Sequence, residues 1–182
     1  MENLVTLKIE YCSVDIRFLR YMCHRSPLKN LSLRGSRALL VCHDFFESLH
    51  PPPPGRVRLT QLKVLDLSDT GVDAMRFLRQ LIVGNFDCQL TRLYLERCTV
   101  TPFLASRITR TIEFLSIAGY APSRHGFMDL TVWARRSSMK QINATGLDRN
   151  FINDWGRKNL VRKHPNVVFD LSEDFKESPR YF

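Results

Sequence analysis

Apolar residues return along the chain in one spacing, Leu-x-x-Leu-x-Leu-x-x followed by Cys, Ser or Thr. Well-formed copies are Leu4-Leu7-Ile9-Cys12, Leu28-Leu31-Leu33-Ser36, Leu62-Leu65-Leu67-Thr70 and Leu90-Leu93-Leu95-Cys98. A fifth copy is Ile112-Leu115-Ile117-Tyr120, and Met139-Ile142-Ala144-Leu147 is a degraded sixth. Asn166-Phe169-Leu171 keeps the register without its first apolar residue. The copies start at 4, 28, 62, 90, 112, 139 and 166, in steps of 24, 34, 28, 22, 27 and 27 residues. Inside a copy the apolar positions alternate, the two-residue period of a strand with one buried face. Between copies the spacing turns helical. Val72, Met75, Leu78, Leu81 and Ile82 follow an i, i+3, i+4 rhythm, and Phe103, Leu104, Arg107 and Ile108 follow it more weakly. Segments 127–134 and 151–160 also read as helices. Each unit is expected to be a short strand, a turn and a helix that cannot bury its apolar face alone, so the units must stack.

A repeat of this length and spacing resembles the leucine-rich repeat family, and the resemblance spans nearly all of the chain. The ninth position is Cys12, Ser36, Thr70, Cys98, Tyr120 and Leu147, never asparagine. In this the chain is similar to the cysteine-containing, ribonuclease-inhibitor-like branch found behind F-boxes in ubiquitin-ligase adaptors. The resemblance implies an α/β right-handed solenoid of about six and a half repeats, with parallel strands on the concave side and helices on the convex side. A small polar residue at position nine is expected to bond neighbouring turn backbone, with Cys12 and Cys98 as buried ladder positions. The expected organisation is a repeat domain over 1–171 and an aperiodic C-terminal tail over 172–182.

The longest step contains an insertion over 50–56 with four consecutive prolines, Pro51 to Pro54. Such a run excludes helix or central strand and favours an extended excursion, read as a stiff loop on the rim. Docking to an SH3- or WW-like groove is the alternative. The first copy begins at Leu4, so no polar cap precedes it, and the N-terminal edge is expected to be covered by further chain or by a partner protein. At the other end the helix of 151–164 and a strand over 167–170 are expected to act as a cap, with Trp133 and Trp155 packed in the C-terminal core.

Charge refines this picture. Lys plus Arg number 27 against 18 Asp plus Glu, a net +9. The non-leucine strand positions form three columns on the concave face: Thr6, Asn30, Val64, Arg92, Phe114, Gln141; Lys8, Ser32, Asp66, Tyr94, Ser116, Asn143; and Glu10, Arg34, Ser68, Glu96, Ala118, Thr145. Three basic and three acidic residues stand there, so that face is neutral. Val64 and Phe114 are expected to add exposed apolar area beside Arg92 and Tyr94. Mixed charge with Arg, Tyr and Phe is the composition of protein-binding surfaces. Lys8, Arg34, Asp66, Arg92, Tyr94, Glu96 and Phe114 are therefore the candidate binding set. The net positive charge falls on the helical side and the C-terminal segment, where Arg20, Arg76, Arg107, Arg135, Arg157, Lys158, Arg162 and Lys163 are candidates for an acidic partner or RNA.

Catalytic signatures do not emerge from the sequence. The eight glycines form no phosphate-binding loop, and Cys23-His24 with Cys42-His43 diverge too much in direction to suggest a zinc site. The expected function is non-catalytic protein–protein recognition as a subunit or scaffold of a larger complex, without cofactor, metal, small-molecule substrate or membrane segment. Substrate recognition in an F-box-type ubiquitin ligase is one alternative. A basic subunit of a ribonucleoprotein or organellar assembly is the other. Five cysteines without a paired motif point to a reducing intracellular compartment: cytoplasm, nucleus or mitochondrial matrix.

Overall fold

The computed structural model describes residues 3–13, 26–36, 61–70, 89–98, 111–119, 126–147 and 152–180. Within them the expected helices over 127–134 and 151–160 appear as α1, Gly126–Ala134, and α2, Asp154–Lys163. The helical stretch from Val72 to Ile82, the one around Phe103, and the proline insertion lie outside the described residues, as do Arg20, Arg76 and Arg107.

Every copy of the spacing becomes one strand. These are β1 (Thr6–Lys8), β2 (Asn30–Ser32), β3 (Val64–Asp66), β4 (Arg92–Tyr94), β5 (Phe114–Ser116), β6 (Gln141–Asn143) and β7 (Val168–Asp170). They form one parallel sheet in sequence order. Register is constant, so that Leu7, Leu31, Leu65, Leu93, Leu115, Ile142 and Phe169 stand side by side. The chain is thus an α/β protein built on a repeat, and the repeat sets the register.

Backbone pairing runs past the three-residue strands. The amides of Leu33, Leu67, Leu95, Ile117 and Ala144 donate to Asp66, Tyr94, Ser116, Asn143 and Asp170 carbonyls of the next unit, at 2.8–2.9 Å. Two residues on, the backbone turns. The eighth position is left-handed in six of the seven units: Tyr11, Gly35, Asp69, Arg97, Gly119 and Gly146 have φ between 54° and 72°. Position nine closes the turn. Ser36 Oγ donates to the Ile9 carbonyl at 2.9 Å and Cys98 Sγ to the Leu67 carbonyl at 3.0 Å, each reaching the preceding unit. Thr70 instead donates to Leu67 within its own unit, at 2.5 Å. Cys98 is buried as expected. Cys12 is exposed, because among the described residues β1 is the edge strand of the sheet.

The leucines of all interior units, with Leu130, Trp133, Ala134 and Leu160, make one continuous core on one face of the sheet. Both described helices therefore pack on the leucine side. At the ends burial falls off: Leu4, Leu7, Ile9, Phe169 and Leu171 are only partly buried. β7 and α2 close the C-terminal end. Asn153 caps α2 by accepting from the Gly156 amide at 2.8 Å, and Gly156 and Leu160 face inward. The expectation that both tryptophans pack in the core holds for Trp133 and fails for Trp155, which is 71% exposed because its position falls on the outer face of α2.

Candidate protein-binding site

The second face of the sheet carries the three polar columns, and from β6 to β3 it is covered. Residues 172–180, which carry no periodicity, leave β7 and cross back over β6, β5, β4 and β3. The crossing starts where the Gly146 amide donates to the Ser172 carbonyl at 2.9 Å. The backbone of Lys176 then bonds Thr145 Oγ1 in both directions, at 2.9 and 3.1 Å, and its carbonyl also accepts from Asn143 at 3.1 Å. Phe175 lies against Gly119 and Gly146, with the Arg97 guanidinium 4.8 Å from its ring centre.

At Ser178 the strap sinks into the face. Its amide donates to Glu96 Oε1 at 2.9 Å, its hydroxyl to Ser116 Oγ at 2.9 Å, and Asn143 Nδ2 donates to it at 2.6 Å. Tyr94 donates to the Pro179 carbonyl at 3.1 Å. Arg180 ends the crossing in a pocket made by Asp66, Tyr94 and Glu96. Its NH1 and NH2 donate to Glu96 at 3.1 and 2.6 Å, its Nε lies 2.9 Å from Asp66 Oδ2, and its guanidinium stands 4.6 Å from the Tyr94 ring centre. Asp66 and Arg180 pair as ions but miss hydrogen-bond geometry, leaving Asp66 Oδ2 and Arg180 Nε without such a bond.

A second polar cluster rims the strap. Glu177 accepts from Arg34 at 2.5 and 3.1 Å and from Arg97 at 3.3 Å. Both arginines also hold Asp69, Arg34 through Nε at 2.9 Å and Arg97 through two donors, while Tyr11 donates to Asp69 at 3.1 Å. Asp69 and Arg97 are left-handed turn residues of adjacent units, so the repeat geometry itself brings them together.

The ionisation of these groups follows from their surroundings. Burial pushes the Asp66 carboxyl above its ordinary range, and Arg180 only partly opposes it. Burial acts on Glu96 too, but the bonds from Arg180, Ser116 and Ser178 outweigh it and hold that carboxyl low. Asp69 is pulled down to about 2 because its bonds to Arg97 and Arg34 overcome its desolvation. Glu177 is held low chiefly by Arg34.

Sequence reasoning thus names the residues of the face and misses their state. Arg34, Asp66, Tyr94 and Glu96 are brought together, under the strap. Asp66, Tyr94 and Glu96 are each 0% exposed. Val64 and Phe114, expected as exposed apolar area, are buried with Tyr94 in a small separate cluster, the Tyr94 and Phe114 rings 5.2 Å apart between centres. Lys8 stays exposed on β1 and Arg92 half-buried on β4, both outside the contacts described for the strap. The residues missed are Ser178, Arg180, Glu177, Asp69 and Arg97, while Ser116, Asn143 and Thr145 stand in the expected columns but outside the candidate binding set. The available signal was two carboxylates and an aromatic ring on neighbouring units of one face, a set that calls for a cation.

Of the basic candidates, Arg157 is structural, donating to the Ile152 and Leu171 carbonyls at 3.2 and 2.7 Å. Arg135, Lys158, Arg162 and Lys163 are exposed. Lys158 and Arg162 share a face of α2 with Trp155. Among the described residues no helix is long and apolar enough to cross a membrane. No family model matches the chain, and no curated protein matches it either.

Proposed function

We propose that the chain is a leucine-rich-repeat protein of the cysteine-containing, ribonuclease-inhibitor-like type, and that it acts without catalysis by holding an extended segment of another protein on the polar face of its sheet. One observation carries this reading: the face holds an extended polypeptide, residues 172–180, through side chains from four adjacent units. Binding rests on directed polar groups around a small aromatic cluster, the anatomy of a recognition surface. The half-buried β1 leucine positions add a second place where a partner of a larger complex would gain apolar contact. Substrate recognition in a ubiquitin ligase is the setting that the repeat type suggests.

The test is a double charge reversal, Lys8→Glu with Arg92→Glu, on the rim of the face. Partners recovered by affinity purification and crosslinked to the wild-type face should fall at least tenfold in the variant. Retention of every partner would sink the reading.

RNA is a second reading, supported by the exposed Trp155 with Lys158 and Arg162 on one helix face. Counterion release makes such binding salt-sensitive, so RNA that co-purifies should be lost by about 0.3 M salt.

A further inference from the structure

We propose that Asp66, Tyr94 and Glu96 form an arginine-binding pocket, and that the C-terminal strap fills it as a built-in competitor for an extended partner segment bearing an arginine three residues after an acidic one. The proposal rests on the reading of this face as a protein-recognition surface and deepens it. The chemistry of the preferred segment is read from what the strap already satisfies. Glu177 meets Arg34 and Arg97, and three residues on Arg180 meets Glu96 and Asp66 over the Tyr94 ring.

Three features mark the strap as displaceable rather than as part of the folded core. It extends no ladder between Glu173 and Arg180, since those contacts are made through side chains of the sheet. It buries little apolar surface: Phe175, its one large apolar side chain among the described residues, is 37% exposed, and 173–177 are all exposed. Segments with few buried apolar contacts open at low free energy. Third, Arg180 fits imperfectly, because Asp66 Oδ2 is buried without a hydrogen bond. An arginine from a partner that satisfied both carboxylates would gain what the strap leaves unmade.

A tethered competitor acts at an effective concentration of order millimolar, so it masks the pocket from weak ligands and yields to tight ones. Opening the strap would expose two carboxylates and an aromatic ring at once. The pocket would then change from filled to open and acidic in one step.

The experiment uses the full chain. A fluorescein-labelled peptide matching residues 174–182 is titrated by anisotropy against wild type, Arg180→Ala and Glu177→Ala, each checked for a retained cooperative melting transition well above the titration temperature. Both variants loosen the strap while leaving the pocket intact, and Glu177 is half exposed, so its removal does not endanger folding. The peptide should bind both variants at least tenfold more tightly than wild type, and a peptide with alanine in place of its arginine should lose at least tenfold. Equal affinity for all three proteins, or indifference to the peptide's arginine, would overturn the proposal. If Lys8→Glu with Arg92→Glu still abolished partner recovery, recognition by this face would stand while the arginine pocket fell.

Discussion

Position eight of each unit is where single residues decide the most. Six consecutive units place a left-handed residue there, three of them non-glycine. For an L side chain that conformation costs about 1–2 kcal/mol. Asp69 and Arg97 offset it with the ion pairs they make across adjacent turns. Glycine is needed where the strap passes close. A Cβ on Gly146 would come within 3.1 Å of Phe175 Cβ and 3.2 Å of Phe175 Cα. Gly146→Ala should therefore cost about 1–3 kcal/mol in urea unfolding, combining backbone strain with pressure on the strap. An unchanged midpoint would mean that the strap does not press on this turn. The ninth position was legible from sequence, since a small polar side chain beside a turn has backbone to bond. The exposure of Cys12 was not, because pattern alone does not say which unit forms the edge of the sheet. Trp155 failed for a related reason: helical period placed it on α2 without fixing which arc of that helix faces inward.

At the scale of elements, each strand has only three residues, so hydrogen bonding alone does not hold the stack. The continuous leucine ladder does, with full burial of a leucine worth about 1.5–3 kcal/mol. Burial is complete at Leu93 and partial at Leu7. Leu93→Ala should cost about 2–5 kcal/mol, and Leu7→Ala less than half of that. Chemical denaturation of the two variants checks it, and equal losses would contradict an interior-weighted core. Periodicity made the strands and their parallel register legible, because seven copies of one spacing admit one way of stacking. The strap was illegible by the same logic. A single extended segment has no period, and the polar residues it satisfies read as a solvated face until their partners are seen. Asp66 and Glu96 illustrate this: the same two letters describe an exposed mixed-sign surface and a buried arginine pocket.

Across the whole molecule, a sheet with one apolar and one polar face is held on both sides, by helices and by its own C-terminal segment. The polar side should respond to pH. Asp69, Glu96 and Glu177 ionise more readily in the folded protein than in the unfolded chain, so each adds stability above its unfolded pKa of about 4. That stability is lost as pH falls through the folded values, about 2 for Asp69. Asp66 acts oppositely: its folded pKa is raised, so its ionised form costs stability that is recovered on protonation. With three carboxyls lowered and one raised, the urea midpoint should decline between about pH 4 and pH 2. A midpoint that rose over that range would contradict the assigned pairings.

The central claim is that the strap is a separable cover on a recognition face, and amide hydrogen exchange tests it most directly. The Ser178 amide, bonded to Glu96, reports the strap; the Leu95 amide, bonded to the Ser116 carbonyl, reports the sheet beneath it. The account predicts that Ser178 exchanges through an opening at least tenfold more frequent than that of Leu95, with Leu95 still protected when Ser178 is not. Loss of protection at both amides together, with one opening free energy, would make the strap part of the folded core and contradict the account.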